Sequence, residues 1–541
     1  MRLKKDSSKQ KLRGAYYTPQ KLADAMVRLF VSQNIDTVLE PSCGDGVFLD
    51  SLNKSGLLEK VSSVEAVEIE AQEAEKVSRR YQGFSQVKVI NRDFFDFYKN
   101  ALGKKSYDLI LGNPPYIRYQ YLKESQRDCQ AQILTSHGMK SNKLINAWVA
   151  FVVASVQMLS KNGKIAFVIP AEILQVAYAE DLRLYLANHL AKITLITFEQ
   201  LVFPDIEQEV VVFIGEKGDT EKGIRIIEMN DLNGFDGLDL DSNGFQPIQH
   251  VKEKWTKYFI NGEEMKLIHR LRTDERFARF SEYGLINIGI TTGNNSYFSI
   301  TEDITNRYHL EKATLPLIGR SSHAHGIYFT KDDWNLNKAA GKAARLIRFP
   351  DIPYDDYPQG YKDYIKEGEL KNANIGYKCS IRDRWYIVPS IWIPDAFFLR
   401  RNNLYPKFVL NRCGAVSTDT MHRMKFNDGV EAENILLAYY NSVSFAFTEI
   451  CGRSYGGGVL EILPSEMGNI LIPKIEHIDP SFRRELLDKI DHIVRSNGNI
   501  EIALDLVDHE VLTNLLGIEP DICSQCRSIW KKMQKRRLGR G

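Results

Sequence analysis

The segment Asn113-Pro-Pro-Tyr116 carries the most distinctive chemical potential in this chain. Both prolines lack a backbone N–H and fix φ, so the preceding strand ends here, and Asn113 is held extended because a proline follows it. The loop presents the Asn113 amide, the Pro114 carbonyl and the Tyr116 ring. The two oxygens can each accept one hydrogen of an amino group, and the ring can stack on a flat molecule. The segment therefore predicts a site for a flat compound with an exocyclic amino group, although an ordinary strand-to-loop connection can carry the same residues.

The segment Pro41-Ser-Cys-Gly-Asp-Gly46 is a second candidate ligand loop. Its two glycines allow a tight turn and a close approach of the backbone to a ligand, and the helix predicted from Val47 offers free N–H groups at its start. Glu68 follows about 20 residues later, at the end of the next predicted strand. Dinucleotide-binding folds place the carboxylate that holds ribose hydroxyls at this distance.

Alternating strands and helices are needed to position these loops. Thr18 is predicted to be the N-cap of a first helix, with Pro19 in its first turn. Apolar runs predict strands over residues 37–40, 64–69, 87–90, 108–111, 163–169, 193–198 and 209–214. Further helices are predicted over residues 142–159 and 182–190. Ligand-type residues at the carboxyl ends of strands are typical of a doubly wound α/β sheet, and the last two strands, with no helix between them, predict a terminal β-hairpin.

The composition is that of a globular protein with several domains. The chain has 541 residues, 43% of them hydrophobic and 26% charged, and contains no run of 18 apolar residues. The seven scattered cysteines favour a reducing cytoplasm, and Cys523 and Cys526 lack the second pair of ligands that a zinc site needs. We therefore expect a cytoplasmic protein without a signal peptide, a membrane segment or a metal. Both ends are locally basic, which leaves phosphate contact open.

The sequence changes character beyond residue 218. Gly, Asp and Asn are frequent over residues 231–244, which predicts a linker between a domain over 1–230 and a domain over 245–541 that ends in helices near 479–530. Short strands and loops dominate 286–473. Polar and aromatic residues alternate in several loops there and suggest contacts with nucleic acid, or else ordinary surface loops. The candidate DNA-binding residues are Asn294, Arg384, Arg453 and Tyr455.

The motifs resemble those of the gamma-class, TaqI-like DNA adenine-N6 methyltransferases of restriction–modification systems. The resemblance is close over residues 14 to about 215 and looser in the second half, where it rests on Gly289-Ile-Thr-Thr-Gly293, Trp385-Tyr386 and Tyr455-Gly-Gly-Gly-Val459. It implies an S-adenosylmethionine-dependent methyltransferase sheet followed by a β-rich α+β target-recognition domain. It also implies that Asn113, Pro114, Pro115 and Tyr116 are catalytic, and that Tyr116 and Phe203 stack on the flipped base. The cofactor residues that it implies are Thr18, Glu40, Pro41, Cys43, Gly44, Asp45, Gly46, Glu68, Ile69, Asp93, Phe94 and Asn113.

The resemblance implies methyl transfer to N6 of a flipped adenine in double-stranded DNA, which protects the DNA from a restriction endonuclease on a separate chain. The second half of the protein would then select the DNA sequence. Related loops occur in enzymes that methylate cytosine N4, ribosomal RNA or protein glutamine, and these activities remain alternatives. A catalytically silent DNA-binding subunit of a defence complex is another alternative, which the intact cofactor motifs disfavour.

Overall fold

The computed structural model describes residues 17–143, 145–198, 209–242, 244–248, 254–455 and 458–539. Their contacts divide the chain after Gly262 into two units. The segment 231–244, predicted as a linker, lies within the first unit. It is not a loose connection, because Phe235 and Leu240 are buried in the core of that unit.

An eight-stranded sheet forms the centre of the first unit. Its strands are β1 Thr37–Glu40, β2 Ser63–Glu68, β3 Val87–Asn91, β4 Tyr107–Gly112, β5 Leu159–Pro170, β6 Lys192–Phe198, β7 Val210–Glu216 and β8 Gly223–Met229. The order across the sheet is β3-β2-β1-β4-β5-β7-β6-β8. The pairs from β3 to β5 are parallel, whereas β7 runs antiparallel to both β5 and β6. The predicted doubly wound sheet is confirmed, and β8, which was not predicted, pairs in parallel with β6.

Helices cover both faces of this sheet. They are α1 Gln20–Arg28, α2 Val47–Lys54, α3 Ala71–Arg80, α4 Phe94–Ala101, α5 Glu124–Thr135, α6 Ala147–Gln157 and α7 Glu180–His189. Successive residues of β4 point to opposite faces, so that Leu109 and Leu111 pack in one apolar cluster and Ile110 in the other. This double burial explains why the strand is a continuous apolar run, as expected for a parallel strand covered on both sides.

Two predicted helix boundaries were wrong. Pro19, not Thr18, is the N-cap of α1, because Leu22 and Ala23 donate their backbone N–H groups to the Pro19 carbonyl. The predicted helix over 142–159 is shorter, since α6 begins at Ala147 and the following residues from Leu159 already pair in β5.

The second unit combines several small sheets with helices. Its strands are β9 Phe277–Arg279, β10 Gly284–Ile288, β11 Ser299–Ile300, β12 Thr314–Ile318, β13 Tyr328–Phe329, β14 Arg345–Ile347, β15 Ala396–Leu399, β16 Arg401–Asn402, β17 Phe408–Asn411, β18 Val416–Ser417, β19 Met421–Phe426, β20 Arg453–Tyr455, β21 Val459–Glu461 and β22 Leu471–Pro473. The largest sheet has five strands in the order β10-β19-β15-β17-β13, and a second has four in the order β11-β14-β12-β18. The sheet-rich architecture that the sequence predicted is confirmed.

Helices are more frequent in the second unit than the sequence predicted. They are α8 Gly262–Arg272, α9 Asn295–Phe298, α10 Glu302–Tyr308, α11 Lys331–Ala339, α12 Gln359–Leu370, α13 Tyr377–Ser380, α14 Ala432–Tyr439, α15 Ser442–Cys451, α16 Pro464–Met467, α17 Pro480–Arg495, α18 Ile500–Val507 and α19 Pro520–Leu538, with a π-helix over Asp508–Leu515. The missed helix α15 is buried along its whole length, so its sequence lacks the polar face that marks a surface helix.

The basic C-terminal helix α19 is held to the second unit by ion pairs. The Arg537 guanidinium donates to both carboxylate oxygens of Glu449 at 3.0 and 3.1 Å and to the Gly458 carbonyl at 2.6 Å. Arg537 is 1% exposed and Glu449 is 4% exposed. Lys531 and Lys532 also pair with carboxylates of this unit. Much of the basic charge near this end of the chain therefore serves the fold. Across the described residues, none of the helices has the length and apolar character needed to cross a membrane.

Candidate active site

A cavity of about 620 Å³ lies in the first unit, beside the carboxyl ends of β1, β2, β3 and β4. Its size is within the range of cofactor and substrate pockets. Eleven of the twelve predicted cofactor residues line it: Thr18, Glu40, Pro41, Cys43, Gly44, Asp45, Glu68, Ile69, Asp93, Phe94 and Asn113. The twelfth, Gly46, is the N-cap of α2 with a φ of +86°, and a Cβ there would lie 3.1 Å from Val77. Gly46 thus shapes the turn behind the cavity wall.

The loop after β4 is anchored at three points. Ser42 donates its hydroxyl to the Asn113 carbonyl at 3.2 Å, the Tyr116 hydroxyl donates to the Val168 carbonyl at 3.1 Å, and the backbone of Ala147 donates to Ile117 at 2.9 Å. Asn113 and Pro115 lie in the cavity wall. Tyr116 is half-buried and packs against both core clusters. The anchors fix the backbone of the loop that carries Asn113 before any ligand arrives, which lowers the ordering cost of binding.

Glu68 stabilises the glycine loop over residues 41–46 through a hydrogen bond. One of its carboxylate oxygens accepts the backbone N–H of Gly44 at 2.8 Å, and the other accepts that of Glu70 at 2.8 Å. Burial raises the pKa of Glu68, and the two backbone donors oppose that shift. A carboxylate has about four acceptor positions, so Glu68 keeps capacity for hydroxyl donors of a ligand.

Glu40 is the most buried acidic group of the cavity wall. It is 1% exposed, and among the described residues its Oε2 has no hydrogen-bond partner. Burial raises the pKa of Glu40 well above its usual range, and the nearby Asp45 and Glu68 raise it further. A buried carboxylate without a donor is costly, so this group suits a ligand that brings a positive charge or a donor.

The whole cavity has an acidic wall. Six carboxylate residues line it, against two basic ones, Arg92 and Lys123. The acidic members are Glu40, Asp45, Glu68, Glu70, Glu73 and Asp93. The residues therefore fit S-adenosylmethionine, which carries a sulfonium and an ammonium group, and the unpartnered oxygen of Glu40 is the observation that supports this fit.

Residues from the segment after the Asn113 loop also line the cavity, and sequence analysis did not include them. They are Ile117, Tyr121, Leu122, Lys123 and Gln126, together with Phe151 of α6. Gln126 carried no clear signal, because Lys123 stands three positions before it where a capping box has Ser or Thr. Phe151 had no signal either, since it lies in a helix that is apolar on every side.

Three of the candidate DNA-binding residues make contacts inside the second unit. Asn294 accepts a backbone N–H as the N-cap of α9, and Arg384 pairs with Asp351. Arg453 donates to Glu466 at 2.6 Å, and the side chain of Arg453 is 15% exposed. These contacts leave DNA binding by the three residues a prediction.

Several predicted features lie outside the described residues. Phe203, the predicted stacking residue, falls in the segment 199–208, and residues 14–16, where the close resemblance begins, fall in the segment 1–16. The side chain of Tyr455 is also not described. Their roles remain predictions from the sequence.

Comparison with known families gives two matches in the order of the two units. A family described as "Eco57I restriction-modification methylase" matches residues 50–203, and one described as "Type II methyltransferase M.Eco57I, C-terminal domain" matches residues 252–512. The first match contains the loop after β4, and the second covers most of the second unit.

Individual relatives extend over nearly the whole chain. The Type II methyltransferase M.HindII of Haemophilus influenzae is 25% identical, with 96% of this chain and 100% of that protein covered. M.AccI of Acinetobacter calcoaceticus is 23% identical, with 92% and 93% covered. M.HincII, also of Haemophilus influenzae, is 30% identical over 44% of each chain.

Solved structures share the fold at low identity. The Type IIL restriction–modification enzyme MmeI, solved in complex with DNA, matches with a TM-score of 0.57 at 13% identity, covering 99% of this chain and 77% of that chain. DrdV, from a DrdV–DNA complex, matches with a TM-score of 0.53 at 12% identity, covering 89% and 58%. The two family matches occur in the order of the two units, and the relatives that cover nearly the whole chain are Type II methyltransferases, so this chain is similar to restriction–modification methyltransferases along most of its length. Together with the acidic cavity, this similarity supports S-adenosylmethionine as the cofactor.

Proposed function

We propose that this protein transfers a methyl group from S-adenosylmethionine to N6 of an adenine at a specific site in double-stranded DNA, and thereby protects that DNA from a restriction endonuclease carried on a separate chain. The observation that carries the proposal is that Asn113 lies in the wall of the same acidic cavity as Glu40, Glu68 and Asp93. The Type II methyltransferase relatives and the DNA complexes of the two structural neighbours support DNA as the substrate.

Different cavity residues would bind different parts of the cofactor. The acidic Glu40 would face its positive groups, Glu68 would accept ribose hydroxyls, and Asp93 with Phe94 would hold its adenine. Thr18 and the backbone at Gly44 would complete the wall. When bound, S-adenosylmethionine supplies an electrophilic methyl group on a positively charged sulfur.

The residues of the loop after β4 would activate the target amino group. Its lone pair is delocalised into the base, and hydrogen bonds to the Asn113 amide oxygen and the Pro114 carbonyl would localise it on nitrogen. The anchored backbone of the loop would position these acceptors, so the contribution would be positioning and charge complementarity. A duplex base must first be flipped out, at a cost of a few kcal/mol, and stacking on Tyr116 and Phe203, worth roughly 1–3 kcal/mol per base, would offset this cost.

Transfer of a labelled methyl group tests the substrate class. Purified protein is incubated with methyl-labelled cofactor and, separately, with duplex DNA, ribosomal RNA and a protein extract. The proposal predicts label in DNA alone, recovered after digestion as the N6-methyl nucleoside of adenine. Label in RNA or in protein would contradict the proposal. Label recovered as N4-methylcytosine would mean that cytosine, and not adenine, is the target base.

We expect cofactor affinity to depend on pH through Glu40. The raised pKa means that the free protein holds a proton on this carboxyl at pH values below that pKa. A cationic ligand favours the ionised form, so binding should release a proton and affinity should rise with pH until the pKa is passed. Calorimetry in buffers of different ionisation enthalpy measures the released proton directly.

Two variants control this experiment. Glu40→Gln should remove both the proton release and the rise of affinity with pH. Glu75→Gln, on the exposed side of α3, should leave both unchanged. A wild-type affinity that does not vary with pH, with no proton released, would show that Glu40 does not meet the positive charge of the cofactor.

A further inference from the structure

We propose that Gln126 is a positioning residue for the adenine of the cofactor: its amide fixes the Asp93 carboxylate and joins the segment 119–127 to that end of the cavity. The inference rests on the proposed function, because it takes Asp93 as the acceptor for the adenine amino group. It adds a residue from a different part of the chain and a specific task for it.

Both ends of the Gln126 amide are engaged. Its Nε2 donates to Asp93 Oδ2 at 2.7 Å, and its Oε1 accepts the backbone N–H of Lys123 at 3.1 Å. The second bond belongs to the N-terminal cap of α5. The side chain is half-buried and lies in the cavity wall. Because each end of the amide has its own partner, the orientation of the side chain is set by the start of the helix.

Asp93 is thereby held from two sides. Its Oδ1 accepts the backbone N–H of Phe95 at 2.8 Å, as the N-cap of α4, while its Oδ2 accepts Gln126. One donor on each oxygen fixes the plane of the carboxylate and still leaves acceptor capacity on both oxygens. A fixed acceptor need not be ordered when the ligand binds, so its hydrogen bond to an amino group is more effective.

The segment that carries Gln126 is held together by its own contacts. Arg127 donates to the carbonyls of Tyr119 and Gln120, both at 3.2 Å, and its guanidinium lies 5.2 Å from the centre of the Tyr119 ring. These contacts fasten the short turn Tyr119–Tyr121 to helix α5. The same segment contributes Tyr121, Leu122 and Lys123 to the cavity wall. The bond from Gln126 to Asp93 therefore couples a preformed part of the wall to the residue proposed to recognise adenine.

Recognition of the amino group separates this role from a general structural one. Affinity is measured by calorimetry on the full-length protein for S-adenosylhomocysteine and for S-inosylhomocysteine, which has a carbonyl in place of the 6-amino group. The ratio of the two affinities reports the contact with the amino group. We expect Gln126→Ala to weaken S-adenosylhomocysteine binding about tenfold, as is typical for loss of one hydrogen bond to a charged group, and to reduce the ratio by a similar factor.

A double-mutant cycle with Asp93→Ala tests the coupling. In the Asp93→Ala background, Gln126→Ala should change the affinity less than about twofold, because the carboxylate that it positions is gone. Gln132→Ala, an equivalent change on the exposed side of the same helix, should alter neither the affinity nor the ratio.

The outcomes distinguish this inference from the function on which it rests. If Asp93→Ala removes the preference for the amino group while Gln126→Ala preserves it, or if the effects of the two changes simply add, the role of Gln126 is overturned and the cofactor assignment stands. If Asp93→Ala leaves the preference intact, the assignment of Asp93 and the inference about Gln126 fall together.

Discussion

Asn113→Ala is expected to reduce the rate of methyl transfer by a factor of about 100 to 1000 while S-adenosylmethionine affinity changes little. The amide oxygen would accept a hydrogen bond from an amino group whose positive charge grows during the reaction. That bond strengthens toward the transition state, so its loss appears in the rate and not in ground-state affinity. The magnitude follows from deletions of single preorganised groups in other active sites. Single-turnover kinetics with saturating cofactor and DNA isolate the step.

The controls for this variant follow from the loop geometry. Asn113→Asp keeps an acceptor oxygen but adds a charge, so it should retain partial activity. Asn188→Ala changes an exposed asparagine near the end of α7 and should have no effect. If Asn113→Ala turned over within about threefold of the parent protein, far from the loss expected for such a group, the hydrogen-bond mechanism would be untenable.

Arg537→Ala is expected to lower the free energy of unfolding of the second unit by about 3–5 kcal/mol. The substitution leaves the Glu449 carboxylate buried without its cation, and it removes the donor to the Gly458 carbonyl. Such an uncompensated buried charge costs far more than the pair contributes when intact. Equilibrium urea unfolding measures the change, and hydrogen exchange localises it to α15 and α19.

Two comparisons make the Arg537 result specific. Lys531 lies on the same helix as Arg537, is half-exposed and pairs with Glu501 of α18. Lys531→Ala should therefore lower the free energy of unfolding by no more than about 1 kcal/mol. Replacing both buried partners, with Glu449→Leu and Arg537→Met, should recover most of the lost stability, because no buried charge remains unpaired. If Arg537→Ala lowered the free energy of unfolding as little as Lys531→Ala does, the Arg537–Glu449 pair would be accessible to water.

Residues at the ends of parallel strands were predictable from the sequence. Glu40, Glu68, Asp93 and Asn113 each lie at or just after the end of a short apolar run, and the carboxyl ends of parallel strands meet at one edge of the sheet. Their common cavity follows from that topology. The chain order of the motifs was therefore enough to predict which residues the structure brings together in the first unit.

Other parts depend on tertiary contacts that a linear pattern does not contain. Gln126 contacts Asp93 across 33 positions of sequence, and nothing in the local sequence indicates that contact. Arg453 was predicted to contact DNA because polar and aromatic residues alternate in its loop. The sequence did not indicate that Arg453 also donates to Glu466, which lies 13 positions away. In the second unit, buried helices such as α15 have no polar face, so periodicity alone does not distinguish their apolar sequences from those of buried strands.

The most direct test of the account is to sequence modified bases in the genomic DNA of cells that express this protein, beside cells that express Asn113→Ala. The proposed function predicts N6-methyladenine at one fixed position of one recurring short sequence, present with the parent protein and absent with the variant. N4-methylcytosine at the recurring sequence, or the same N6-methyladenine with Asn113→Ala, would contradict it.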